Sequence, residues 1–494
     1  MVAGLTLVRL AVLFLTPLQL YPDEAQYWLW SRTLDWGYYS KPPMIAWTIW
    51  ATTSLGGDAE PWVRLAAPLF HAATALCVYA IARRLYGPSA AFAACALYVL
   101  MPGVQLSSAV IATDAPLLLF LALSLLAYVE LQQADGRRAL ALAAGFGAAM
   151  GLGFLSKYAA IYGLIGLGLH LAVSGQARAV WRPARIAAAA AAFAAVLAPN
   201  LIWNATHGFA TIQHTASNAD WGASRLFNPA ELGDFLVSQF GVFGPIPFAV
   251  LLGGAAVLAW RRRLTGADTM LLCFTLPALA IVAGQAFVSR ANANWASAGF
   301  VAGVVLAAAW LTRWRARGWL VAAVATQAAI AVLFLTFVTV PAAAEAVGAA
   351  NSFKRAKGWA EMTDLVVERA AREPGLSAIA VNDRFLFNAV AYYARDEIAA
   401  HALPPLTMWV RAAHPQTQAE LTDPLTAERG GRVLGVILEK AHGEEMQADF
   451  ARVSAREFVR VRLDRKRSRA AELFVGEDFT PRPRDPVSGL PTPP

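Results

Sequence analysis

Apolar runs of membrane-crossing length, separated by short arginine clusters, constrain this chain more than any other feature. A helix needs about 20 mostly apolar residues to cross a bilayer. Runs of that kind lie near 2–20, 63–83, 88–104, 109–131, 138–155, 158–174, 184–203, 239–260, 267–288, 294–312 and 318–340. The expected fold is an α-helical polytopic membrane protein with about eleven spans. Composition agrees, because only 15% of the residues are charged, against about 25% in soluble proteins. The net charge of +8 does not indicate a nucleic-acid partner, since many of the arginines fall between spans. Alternate connections hold Arg83-Arg84, Arg137-Arg138, Arg178/Arg182/Arg185, Arg261-Arg262-Arg263 and Arg313/Arg315/Arg317. The positive-inside rule makes that side cytoplasmic. A bacterial inner membrane is the expected location, with the other side periplasmic.

The periplasmic side then carries the long segments 21–62 and 204–238 and everything after Pro341. Tryptophan-rich stretches at 27–36 and 44–50 read as interfacial helices, where an apolar ring with a polar N–H is favoured. A membrane domain is expected over 1–340. Beyond it the composition becomes that of a soluble domain. Stretches 378–381, 432–438, 458–463 and 471–475 read as strands, and 385–395 as a helix. A small extracytoplasmic α/β domain is expected at 351–478, followed by a disordered proline-rich tail at 479–494. Cys77, Cys95 and Cys273 lie in apolar runs without metal-ligand spacing and read as reduced, buried thiols. His207 and His214 are a weak metal pair and read as surface histidines.

Several polar groups fall where spans meet the periplasmic side. Pro22-Asp23-Glu24-Ala25-Gln26-Tyr27-Trp28 follows the first apolar run, and ionisable groups at such a boundary often mark chemistry. The structural alternative makes Asp23 the cap of a helix starting at Glu24. On that helix Asp23 and Tyr27 lie one turn apart, so a carboxylate and a phenol could share a site. Lys41 precedes Pro42-Pro43, which restricts its backbone; it reads as a phosphate clamp or as a snorkelling lysine. Asp114, in Thr113-Asp114-Ala115-Pro116, opens a later span on the same side and could pair with Asp23 or cap its own helix. Lys157-Tyr158 emerges there as well and adds a second cation. Arg290-Ala291-Asn292-Ala293-Asn294 closes another turn, with groups suited to sugar hydroxyls or phosphate, or simply to the turn.

In order, spacing and sidedness these residues resemble the GT-C membrane glycosyltransferases, of the glycosyltransferase family 39/83 type. That group includes protein O-mannosyltransferases and bacterial transferases that add aminoarabinose or galacturonic acid to lipid A or its core. The resemblance covers roughly 1–340 and implies transfer of a sugar from polyprenyl phosphate to an extracytoplasmic acceptor, with inversion. By that resemblance Asp23, with Glu24 beside it, would act as base on the acceptor hydroxyl or orient it. Lys41 and Lys157, with Arg290 as a further contact, would hold the departing phosphate. Asp114 would organise acceptor or sugar, and Tyr27, Tyr158, Asn292 and Asn294 would contact substrate. The chemistry is coherent: phosphate leaves well when its charge is neutralised, and a carboxylate can take the hydroxyl proton.

Two positions depart from the lipid A aminoarabinose transferases. Gln26 stands where they carry arginine, and Ser40 where they carry a glutamate that is a metal ligand in such enzymes. A divalent metal is therefore doubtful here, and no other cofactor is implied. The implied partners are a polyprenyl-phosphate-linked sugar, a lipid or glycan acceptor such as lipid A or lipopolysaccharide core, and membrane lipids. A protein acceptor is the runner-up. A lipid-linked sugar transporter or flippase is disfavoured, because the polar groups cluster at span ends and no half-repeat is evident.

Overall fold

The computed structural model describes residues 1–217, 227–438, 440–486 and 488–492. Parts of the expected 204–238 loop and of the 479–494 tail lie outside them. The chain divides into two compact units, one of Met1–Leu15 with Leu34–Thr336 and one of Thr16–Thr33 with Phe337–Pro494.

The first unit is helical, and the protein is a polytopic membrane protein. Among the described residues seven helices are long and apolar enough to cross a membrane: Glu60–Tyr86, Asp114–Leu131, Gly136–Ser156, Pro183–Thr206, Gly266–Val288, Ala293–Arg313 and Arg317–Thr339. Two bent pairs raise the number to nine if each is one span. They are Pro88–Leu100 with Pro102–Ala109, at 52°, and Pro229–Phe243 with Pro245–Trp260, at 117°. Val2–Leu15 and Tyr158–Val173 are apolar but shorter. The expected single span at 239–260 is thus sharply broken. Gly244 sits at φ +107, where a Cβ would meet the Gln327 amide at 2.3 Å, and Pro245 starts a new helix in the position proline favours. The Ala293–Arg313 span is enclosed by its neighbours, as expected of a helix that is hydrophobic all round.

A buried carboxylate ties three of these spans together. Asp268, fully buried, accepts Tyr86 Oη at 2.9 Å, Trp310 Nε1 at 3.0 Å and the Thr265 amide at 2.8 Å. Arg313 adds two parallel bonds of 2.8 and 2.9 Å.

The second unit is built on a five-stranded sheet. Its strands are β1 (Ala378–Val381), β2 (Leu406–Met408), β3 (Arg432–Ile437), β4 (Phe450–Arg462) and β5 (Ser468–Phe479), in the order β2-β1-β3-β5-β4. β1 is parallel to β2 and β3, whereas β5 is antiparallel to β3 and β4. Helices Trp359–Arg372 and Arg384–Tyr393 supply Met362, Val366, Leu386 and Val390 to a core shared with Val381, Leu434 and Leu473. The helix Pro22–Ser31 belongs to this unit. Its Trp28 meets Tyr392 edge to face at 4.9 Å, and the Leu20 amide donates to Tyr393 Oη at 2.8 Å. Gln19 accepts the Trp359 amide at 2.6 Å and donates to Glu361, also at 2.6 Å. After β5 the chain is tied back to the buried Asp449, with Arg482 Nε at 2.9 Å and Arg484 Nη2 at 3.4 Å.

Candidate functional site

In the first unit Asp114 is the centre of a polar constellation. Thr113, not Asp114, occupies the cap position of the Asp114–Leu131 helix, so the carboxylate is not used as a cap. It is buried instead, and a buried charge needs a paired charge and hydrogen bonds. Lys157 Nζ donates to its two oxygens at 2.9 and 3.1 Å. Asn294 Nδ2 donates to Oδ2 at 3.0 Å and Ser297 Oγ to Oδ1 at 3.1 Å. Lys157 has extended backbone (φ −163) where the Gly136–Ser156 helix ends, which turns its side chain out of the helical path. Asn294 and Ser297 come from the 3-10 turn Ala293–Gly299 that begins the enclosed span.

Lys157 also lines a cavity of about 530 Å³, together with Lys41, Tyr158, Tyr162, Gln285 and Trp295. This volume is in the range of small-ligand sites. The loop carrying Lys41 is fastened to the Pro183–Thr206 helix. Trp203 Nε1 donates to Asp35 Oδ2 at 2.7 Å, and Asn200 Nδ2 to the Trp36 carbonyl at 2.7 Å. The Trp203 ring lies against Gly37 so closely that a Cβ there would come within 2.3 Å of it. Thr211 Oγ1 donates to the Tyr38 carbonyl at 2.6 Å, and the Tyr38 amide donates to the Lys41 carbonyl at 3.1 Å. Burial pushes the Tyr38 phenol up to about 12, so it stays neutral. Tyr158 Oη donates to Asn200 Oδ1 at 3.0 Å and accepts Asn204 Nδ2 at 3.1 Å.

Of the candidates named from sequence, Lys41, Lys157 and Tyr158 share this cavity; Asp114 is tied to it through Lys157, and Asn294 through Asp114. Arg290 and Asn292 are exposed at the following turn; the Arg290 carbonyl accepts Gln285 Nε2 at 3.2 Å. Asp23, Glu24 and Tyr27 belong to the second unit. There Tyr21 is the N-cap and Pro22 the first helical residue, so the alternative of Asp23 as cap is corrected: proline prefers that first position and moves the boundary back. Glu24 is fully buried and accepts the Tyr21 amide at 2.8 Å. Asp23 is half-buried. Tyr27 is buried with its ring 5.4 Å from that of Trp30. Among the described residues no three His, Cys, Asp or Glu side chains are grouped to hold a metal ion. Sequence reasoning missed Asn200, Asn204, Ser297 and Asp35. The two asparagines had a usable signal, a polar pair four residues apart in an apolar helix.

Residues 40–203 match the family described as dolichyl-phosphate-mannose-protein mannosyltransferase. Over 318 residues the chain is 42% identical to lipid A galacturonosyltransferase RgtD of Rhizobium johnstonii. That alignment covers 63% of this chain and 64% of the relative, just under two thirds of its length. Among solved structures, ArnT from Cupriavidus metallidurans bound to undecaprenyl phosphate superposes with a TM-score of 0.66 over 98% of both chains, at 16% identity. The chain has the fold of ArnT. A weaker structural match is the archaeal oligosaccharyltransferase AglB from Archaeoglobus fulgidus, in complex with an inhibitory peptide and a dolichol-phosphate. Its TM-score is 0.50 over 80% of this chain and 63% of that one, at 14% identity.

Proposed function

We propose that this protein transfers a sugar from a polyprenyl-phosphate donor to lipid A, or to a related envelope lipid or glycan, at the periplasmic face of a bacterial inner membrane. The observation that carries this reading is the cavity flanked by Lys41 and Lys157, with Lys157 held by Asp114. A polyprenyl phosphodiester bears one negative charge, and losing its sugar adds a second. Two ammonium groups that already flank the cavity stabilise that added charge as it develops. Lys157 has three N–H donors and can turn from Asp114 toward the departing phosphate. The acceptor hydroxyl attacks the anomeric carbon from the opposite side, which inverts it, and gives its proton to a carboxylate, the role that the family resemblance assigns to Asp23. Similarity to a lipid A galacturonosyltransferase makes galacturonic acid the first sugar to try and lipid A the first acceptor.

The test is transfer of radiolabelled sugar from polyprenyl phosphate to lipid A in membranes from wild type and variants. Lys41→Met is expected to lower transfer roughly 10²-fold or more, as loss of a charge-stabilising donor does, and Asp23→Asn to abolish it. Wild-type activity retained by Lys41→Met would remove the cavity from the reaction. A protein acceptor is the second reading, favoured by the family match over residues 40–203; labelled peptide in place of labelled lipid A would establish it.

A further inference from the structure

The first apolar helix carries an arginine where packing alone would want leucine. Arg9 is 2% exposed, and a charge in a membrane helix is costly and usually functional. Its Nη2 donates to the Val99 carbonyl at 2.6 Å and to Gln105 Oε1 at 3.0 Å. Gln105, itself buried, returns a bond from Nε2 to the same Val99 carbonyl at 2.9 Å. These three groups bridge the 52° break between Pro88–Leu100 and Pro102–Ala109. The Val99 carbonyl lies in the last turn of the first of these helices, where carbonyls lose their intrahelical donors. Beside it the fully buried His71 places Nδ1 3.0 Å from Tyr98 Oη. Among the described residues, Arg9 Nε and Nη1 and His71 Nε2 are buried without a hydrogen-bond partner.

A brace with unsatisfied donors is a poor source of stability, since a well-packed apolar substitute is often as stable as a buried charge or more so. What the brace does supply is direction. Pro102–Ala109 leaves the break, and after the extended Val110 the chain reaches Asp114. The break lies at Met101, two residues past Val99, and its angle directs the segment that leads to Asp114.

We infer that Arg9 is a positioning residue for the Asp114–Lys157 pair, acting through Val99 and Gln105 across the helix break. This rests on the glycosyl-transfer reading above. A misplacement of about 1 Å remote from the chemistry can cost up to about 10²-fold in rate.

The experiment uses the full chain in lipid nanodiscs with Arg9→Met, Arg9→Lys, Gln105→Leu and the Arg9→Met/Gln105→Leu double variant. Two quantities are read: transfer kinetics with the polyprenyl-phosphate sugar that wild type uses, and amide hydrogen exchange over residues 99–113. Arg9→Met is expected to lower kcat roughly ten- to hundredfold and leave the donor KM unmoved. Gln105→Leu acts in the same direction, and the double variant is no worse than Arg9→Met alone, because both remove one brace. Arg9→Lys, which keeps the charge but not the fork, falls between. Exchange rises over 99–113 and not in Gly266–Val288. Unchanged kcat in Arg9→Met, multiplied effects in the double variant, or exchange raised throughout the protein would overturn the inference. Should Arg9→Met fail to fold, Gln105→Leu and Arg9→Lys decide the matter by the same kcat and KM criteria. Failure of wild type to transfer from any donor would sink the glycosyl-transfer reading instead. The exchange measurement would still report whether Arg9 holds the segment.

Discussion

Two buried carboxylates of the membrane unit, Asp268 and Asp114, are each paired with a cation, yet they are built for different ends. Asp268 is sealed: Tyr86, Trp310, Thr265 and the fork of Arg313 leave its oxygens nothing further to do. Asp114 is bound by Lys157, Asn294 and Ser297, but its cation lines a cavity. An arginine fork fixes geometry in two bonds at once, whereas a lysine is a point charge that can be redirected. The first arrangement suits holding spans together. The second suits a cation that must exchange one anion for another during a reaction.

Breaking each pair should separate these roles, and the largest effect belongs to the sealed one. Asp268→Ala leaves Arg313 facing a buried void and should cost about 3–5 kcal/mol of stability, read by thermal unfolding in detergent. The activity of the folded fraction should remain that of wild type. Next comes the Asp114→Asn/Lys157→Met pair, which removes both charges together. Stability should stay near wild type, while transfer falls roughly 10²–10³-fold, about 2.7–4 kcal/mol in the barrier; the checks are unfolding temperature and single-turnover rate. A double variant that keeps its activity would make the two carboxylates equivalent.

The smallest effect lies in the second unit and concerns acid. Hydrogen bonds from Arg369 and Arg432 hold the Glu373 carboxyl below its ordinary 4.5, and Arg411 does the same for Glu445. Folded values below the unfolded one mean that their contribution is complete above about pH 4.5. It is lost progressively as pH falls through the lowered folded values. Unfolding temperature should therefore be insensitive to these pairs between pH 7 and 5 and decline below. Glu373→Gln should flatten that acid limb by a small amount, measured by tryptophan fluorescence.

Much of the membrane unit was legible because its physics is one-dimensional: twenty apolar residues announce a span. Asp114, Lys41 and Lys157 stood out for the same reason, as polar residues at the ends of such runs. The broken helix at Gly244 was written in Gly244-Pro245-Ile246-Pro247, but the apolarity of the run concealed it. Helix starts were harder. Asp23 looked like a cap until Pro22 took the first helical position, a competition between two local preferences. Ser297 becomes a partner of the site only through contacts between distant spans, which no local pattern encodes, whereas Asn200 and Asn204 left only their polar spacing in an apolar helix. β2, three residues long, was too short to leave an alternation.

The second unit is assembled from Thr16–Thr33 and Phe337–Pro494, and this has a consequence for biosynthesis. Chains grow at about 5–20 residues per second, so the earlier piece waits tens of seconds for its counterpart. During that time Trp28 has no Tyr392 to meet, and Leu20 and Gln19 have no partners on the later segment. The nascent protein must insert its spans while carrying an unfinished aromatic helix. Shielding of that helix, by the bilayer surface or by a chaperone, becomes part of how this protein is made.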